Sequence, residues 1–366
     1  MGSASQVVHC AYSGVGGTGS LVSALCPVLQ RRYGVGTSVV FAGVEPLHVD
    51  YGRRLEEGGV PYTHISKRRG LDPRFFGRLA NSIKCTGATK VVLHGGGVAW
   101  VYSVLRWLGV KQRMILVEHG PEHALRSMEG YARRVLGLPW AEAVVCVSPH
   151  LAESMRSLYA LWLDRKPLYV IPNGVDCELF ADGTGQRQRD VLLMVGTLSS
   201  SKDHETLLGA FELLSRERPL ELWLVGDGLL RTHLEKRATE LRILPKVKFF
   251  GNLPEREVAR LLGAAGVFTF CSKGEGAPLA LLEAMAAGCP VVASDVAGIR
   301  GLVEDEVNGL LVTPTDPRAL AKGTLRLLEE AELASRLARE ARRVVLERHC
   351  LEVAAERWAR LLTSPG

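Results

Sequence analysis

Two glutamates eight positions apart, Glu275 and Glu283, carry the strongest chemical signal in the chain. Glu275 stands in the loop 273–278, K-G-E-G-A-P, and Glu283 in a run that is otherwise nearly all apolar. Gly288 and Pro290 close that run, so its spacing predicts a helix over 279–287. Pro278 falls where a first helical turn tolerates proline, because its missing N–H would have had no partner. The remaining first-turn N–H groups can hold an anion. Glu275 in front of them reads either as a helix cap or as a group that meets a ligand. Glu283 is harder to treat as ordinary surface: an unpaired carboxylate among leucines is costly, and ribose hydroxyls would satisfy it. Lys202, in the loop G-T-L-S-S-S-K at 196–202, is placed to neutralise phosphate, although surface loops also carry lysine. His94 and His119 each end an apolar run. A histidine there is either a structural hydrogen-bonder or a functional group.

Strands and helices must alternate to bring such residues together. Apolar runs predict strands at 7–12, 37–41, 90–94, 114–118 and 143–148, and again at 191–195, 222–225, 246–250, 266–270 and 291–294. Helical patterns lie between them, which implies α/β architecture with doubly wound parallel sheets, whose ligands bind beyond the carboxyl ends of strands. The polar stretch 181–190 reads as a linker, and the length suits two domains. Gly14, Gly16 and Gly19 satisfy G-x-G-x-x-G after the first strand, which leaves open a nicotinamide- or flavin-dinucleotide reading beside that of a plain glycine turn.

The segment 275–295 holds both acids, G-x-P-L between them and the tail E-A-M-A-x-G-x-P-V-V-A-S-D. It resembles the Glu-x7-Glu motif of retaining nucleotide-sugar glycosyltransferases of family 4, which have the GT-B fold. V-E-H-G at 117–120, I-P-N-G-V-D at 171–176 and G-x-L-x-x-x-K at 196–202 are similar to further family segments. The similarity is dense from about 170 to 320 and sparser before. It implies two Rossmann-like domains facing a cleft, an acceptor domain at 1–175 and a donor domain at 176–348, with the final helix, within 349–366, returning to the first. It implies transfer of a sugar from a UDP- or GDP-linked donor to a glycan or lipid-linked acceptor in cell-surface polysaccharide or glycoconjugate synthesis, with retention and without metal or other cofactor. Glu275 and His119 would act at the donor sugar, Glu283 on the ribose and Lys202 on the pyrophosphate. Gly276, Ala277, Pro278 and Leu279 would line the donor site with Gly196. Asn252 would belong to the loop around the base, and Gly16 and Gly17 to the first-domain loop near the donor phosphates. Thr197 stands where many members have arginine and Ala277 where many have phenylalanine. An NAD-linked oxidoreductase and a non-catalytic GT-B scaffold are the alternatives.

Composition narrows the partners. No run approaches the ~18 apolar residues of a membrane span, and the N-terminus has no leader pattern. Eight scattered cysteines suggest free thiols in a reducing cytoplasm, with neither a zinc site nor a disulfide framework. Residues 1–171 hold 20 Lys and Arg against 11 Asp and Glu, the rest 25 against 28. That asymmetry points to an anionic partner for the first half. An anionic membrane surface on the cytoplasmic side fits the basic amphipathic stretches 74–84 and 126–140, which also read as core-facing helices. No nucleic-acid motif is present.

Overall fold

The computed structural model describes residues 6–364 apart from 71, 96–97 and 182–186. The chain divides into two compact units, one from the residues up to Gly174 with those from Leu351 onward, the other Val175–Cys350. The first is built on β1 (Gln6–Tyr12), β2 (Gly36–Gly43), β3 (Tyr62–Ser66), β4 (Lys90–His94), β5 (Arg113–Glu118), β6 (Ala141–Cys146) and β7 (Leu168–Val170). They lie in the order β3-β2-β1-β4-β5-β6-β7, every neighbour parallel. The second unit holds β8 (Gln188–Val195), β9 (Glu221–Val225), β10 (Val247–Gly251), β11 (Ala265–Phe270), β12 (Val291–Ser294) and β13 (Leu310–Val312). Their order is β10-β9-β8-β11-β12-β13, again all parallel.

The central strands follow from composition. K-V-V-L-H in β4 and V-V-A-S in β12 are buried at every position, the unbroken pattern of strands covered on both faces. Helix His204–Ser215 supplies Leu207, Leu208 and Phe211 to a core with Leu192, Met194, Leu222 and Leu224. In the first unit, Val22 and Cys26 of helix Gly17–Tyr33 meet Val39, Phe41, Tyr51 and Leu55. Each sheet reverses its winding once, between β1 and β4 and between β8 and β11. Open parallel sheets bind ligands at such a reversal.

Helix Leu351–Thr363 closes the first unit. Its Trp358 is buried against the rings of His9 and His94, and Lys90 Nζ donates to the carbonyl of Leu362 at 2.8 Å. That bond gives the buried ammonium a partner.

One expectation is corrected here. Cys177 and Cys350 form a disulfide, Cα atoms 5.6 Å apart across a separation of 173 residues. The parallel bridge Val175–Cys350, with Val175 N–H donating to His349 O at 2.9 Å, brings them side by side. Both lie next to points where the chain passes between units. In the simplest chain-entropy account, closing so long a loop removes about 5 kcal/mol from the unfolded ensemble. Cys10, Cys26, Cys146, Cys271 and Cys289 are buried free thiols, and Cys85 is exposed. The two basic stretches differ from each other. Phe75, Leu79 and Ile83 of helix Pro73–Cys85 are buried in their own unit, and Phe76 meets Trp100 edge-on. Arg134, in helix Met128–Gly137, is itself buried and paired with Glu118 at 2.7 Å. The first apolar face is thus turned to its own core, whereas Met128, Tyr131, Leu136 and Trp140 of the second stretch are exposed. Among the described residues no helix is long and apolar enough to cross a membrane.

Candidate functional site

Lys202 follows β8 and Glu275 follows β11, so both stand at the winding reversal of the second sheet. Lys202 Nζ lies 2.6 Å from Glu275 Oε1, and the two side chains are 19% and 12% exposed. Ser272 Oγ also donates to Glu275 Oε1 at 2.7 Å. Phe270, the last residue of β11, places its ring 4.8 Å from the Lys202 ammonium. The carboxylate is thus bound sideways to a cation and a hydroxyl, and no side chain caps the following helix. The cap reading of Glu275 is thereby removed.

The loop that presents Lys202 is tightly held. A single 3-10 turn, Ser200–Lys202, ends at Asp203, whose φ of 27° puts a non-glycine residue in the left-handed region. Such strain persists only where the surroundings enforce it. Thr206 Oγ1 donates to Asp203 Oδ2 at 2.7 Å, and Lys273 N–H donates to Ser201 O at 2.9 Å, joining the Lys202 loop to the Glu275 loop. Gly298 closes the far side: a Cβ there would sit 2.1 Å from Glu275 O. Ser272, Asp203, Phe270 and Gly298 escaped the sequence reading. Only Ser272, three residues before Glu275, carried a usable signal.

Helix Leu279–Ala286 begins just past Pro278. Pro278 is the residue before the first turn, one place earlier than the spacing predicts. Gly276, Ala277 and Pro278 are buried and Leu279 half-buried. The N–H groups of the first turn have no acceptor within the helix. Glu283 is half-buried between the fully buried Leu282 and Ala284. Gly196 leads into the Lys202 loop, and the lysine stem passes 3.7 Å from where its Cβ would lie. Asn252 is exposed beyond β10, two strands from β8, about 10 Å across the sheet. Gly226 links these loops. It has φ +125°, its N–H donates to Gly251 O at 2.8 Å, and a Cβ there would meet Gly196 O at 2.1 Å.

His119, Gly16 and Gly17 belong to the first unit. His119 ends a file of three imidazoles rooted in adjacent strands. His9 Nδ1 lies 3.0 Å from His94 Nε2, and His94 Nδ1 lies 3.0 Å from His119 Nε2. Successive ring centroids lie 5.3 Å apart with 25° between the planes, so the rings run edge to edge. Burial pushes His9 down to about 3 and His119 to about 4. His94 falls well below its ordinary value through burial and then the charges of its two neighbours. All three are neutral near pH 7, and each hydrogen bond holds one proton, so the tautomers are tied together. Glu118 steadies the turn after His119: Oε1 accepts from Gly120 N–H at 3.0 Å while Oε2 takes Arg134 Nε at 2.7 Å. His9 was not singled out by the sequence, although a histidine inside the apolar run of β1 was its signal.

The glycine fingerprint has a packing cause. Tyr51 OH donates to Gly16 O at 2.8 Å and accepts from Gly16 N–H at 3.1 Å. A Cβ on Gly19 would strike the Tyr51 ring at 2.4 Å, and one on Gly14 the Glu45 carboxylate at 2.0 Å. Gly17 opens the helix, exposed. The first and third glycines thus make room for two side chains of the protein itself, which weakens the case for a dinucleotide there.

Two Rossmann-like units, each wound about its own reversal point, define the GT-B class of fold. The chain matches the family model described as Glycosyltransferase Family 4 over residues 15–179 and the model described as Glycosyl transferases group 1 over residues 178–344. It belongs to this glycosyltransferase family. It is 37% identical over 188 residues to a D-inositol 3-phosphate glycosyltransferase of Frankia alni, covering 46% of each chain. With the D-inositol 3-phosphate glycosyltransferase of Thermomonospora curvata it shares 31% over 267 residues, 66% of this chain and 61% of the relative. The chain spans about half to two thirds of the length of the curated relatives it matches. Anabaena Alr3699/HepE, solved in complex with UDP and glucose, superposes with a TM-score of 0.79 at 18% identity, over 98% of this chain and 100% of that one.

Proposed function

We propose that this protein is a retaining glycosyltransferase that moves a sugar from a nucleoside-diphosphate sugar to a saccharide or lipid-linked saccharide acceptor. The carrying observation is the Lys202–Glu275 pair, held at the winding reversal in front of an uncapped helix. Lys202 and the first-turn N–H groups neutralise charge developing on the leaving pyrophosphate. Glu275 binds hydroxyls of the donor sugar, Glu283 binds the ribose, and His119 serves the donor sugar from the first unit. The reaction needs no metal in this reading, since charge on the leaving group is met by the chain's own donors. Structural neighbours solved with UDP or a UDP-sugar support a uridine-linked donor. A relative named for lipopolysaccharide core biosynthesis supports a cell-envelope acceptor.

A panel of UDP-, GDP- and ADP-sugars tests this by thermal stabilisation and slow donor hydrolysis. One nucleotide class is expected to raise the melting temperature in a concentration-dependent way, by the linkage between binding and folding. If none binds and none is hydrolysed, the reading fails. The excess of Lys and Arg in residues 1–171 favours peripheral attachment to the cytoplasmic face of an anionic membrane. Greater pelleting with anionic than with neutral vesicles is expected, and equal pelleting would remove that part of the proposal.

A further inference from the structure

The second unit has a cavity of 670 Å³ at the pole opposite the donor loops. Arg187 and Arg189 bring the chain into β8, Gly266 lies at the start of β11, and Pro290 immediately precedes β12. Lys202 and Glu275 follow the other ends of β8 and β11. The length of β11 alone, six residues, separates the two places by about 20 Å.

Among the described residues four arginines line this cavity, Arg187, Arg189, Arg339 and Arg342, and no Asp or Glu does. Arg187 is anchored: Nη1 donates to Leu262 O and Ala265 O, and Nη2 to Ala287 O at 2.6 Å. Its guanidinium therefore satisfies carbonyls at the ends of two helices and stays in place. The side chains of Arg189, Arg339 and Arg342 make no hydrogen bond or ion pair with the described residues. Their neighbour Arg343, on the same helix Ala331–Arg348, pairs with both Glu340 and Glu347. Two of that helix's carboxylates thus serve one arginine, and Arg339 and Arg342, facing the cavity, have none. The contrast is sharper because acids outnumber Lys and Arg, 28 to 25, from residue 172 onward.

Like charges gathered without a counter-charge repel, and guanidinium forks match phosphate and sulfate oxygens in pairs. Ser335 adds a hydroxyl, and Leu327, Leu328 and Pro290 add apolar wall. The volume is that of an ordinary small-ligand site. We propose that this cavity binds a small molecule carrying two or more phosphate or sulfate groups, at a place separate from the donor site. The proposal does not depend on the glycosyltransferase reading.

Inorganic tripolyphosphate is the probe, titrated calorimetrically into the full chain. The donor loops also offer a phosphate site, so Lys202→Gln is measured beside the double variant Arg339→Gln/Arg342→Gln, with Arg343→Gln as a charge control. The double variant is expected to weaken one class of binding at least tenfold, a class that Lys202→Gln and Arg343→Gln retain. All the altered arginines are at least partly exposed, so the fold should survive, and melting curves check it. Superimposable titrations for the wild type and the double variant overturn the proposal, as does an equal loss in the Arg343→Gln control. Vesicles bearing a phosphoinositide separate the two sources of ligand. Pelleting that the double variant loses and tripolyphosphate competes assigns the phosphates to a lipid headgroup. Absence of pelleting, with tripolyphosphate binding intact, assigns them to a soluble metabolite.

Discussion

Replacing Glu275 by glutamine is expected to lower turnover by roughly two to three orders of magnitude, the loss typical of removing one preorganised electrostatic group. Glutamine keeps the volume and can still accept from Ser272, which now donates to Glu275 at 2.7 Å. What it removes is the negative charge 2.6 Å from Lys202. In the proposed reaction that charge does two things. It orients the lysine ammonium over Phe270, and it binds donor-sugar hydroxyls as the pyrophosphate departs. Both depend on geometry that must not relax during the reaction, so the loss should fall on kcat more than on KM. Glu283→Gln supplies the contrast, because a group that holds the ribose alike before and during transfer affects KM alone. The pair is partly exposed, so its contribution to folding is modest and screened. Melting curves of Glu275→Gln should remain close to the wild type. Turnover equal to the wild type, in a folded Glu275→Gln protein, would sink the assigned role.

The legible parts of this site are those encoded by local runs. The helix at 279–286 and β12 follow directly from apolar runs bounded by glycine and proline. β3 is an edge strand, only part-buried, and its Y-T-H-I-S lacks the apolar run that marks the centre of a sheet; β7, at the other edge, is apolar but only three residues long and mostly exposed. The Cys177–Cys350 link was hidden for a different reason. Its partners are separated by 173 residues and meet only because the chain leaves the second unit beside the point where it entered. His9 likewise acquires its meaning from sheet order: nothing local says that β4 will lie between β1 and β5. The glycines at 14, 16 and 19 show the reverse error. Their spacing matches a ligand motif, yet Glu45 and Tyr51, more than 25 residues away, explain Gly14 and Gly19, while a Cβ on Gly16 would meet nothing.

Mild acid is expected to destabilise both units well before the carboxylates titrate. Burial holds His9 near 3 and His204 near 4, against an ordinary 6.5 for each. The unfolded chain therefore takes up a proton on each ring as pH falls through 6.5, while the fold refuses it. Stability is whole above 6.5 and is lost progressively down toward the folded values. Linkage puts the loss between pH 7 and pH 5 at about 2 kcal/mol for each of these two histidines. His94 is shifted in the same direction and adds to the first unit's share. His119 adds less than its value implies, because its ring is only half-buried and water screens it. Each unit contains one of the fully buried rings, so a urea transition that resolves the units should show both midpoints falling. His9→Gln distinguishes this origin from general charge repulsion. That variant starts from a lower midpoint at pH 7, since it disturbs the imidazole file, but its loss between pH 7 and pH 5 should shrink by about 2 kcal/mol. The change with pH, not the starting level, is the readout. Equal midpoints for the wild type at pH 7 and pH 5 would show that the file accepts protons in place, and that its histidines are not held neutral by the fold.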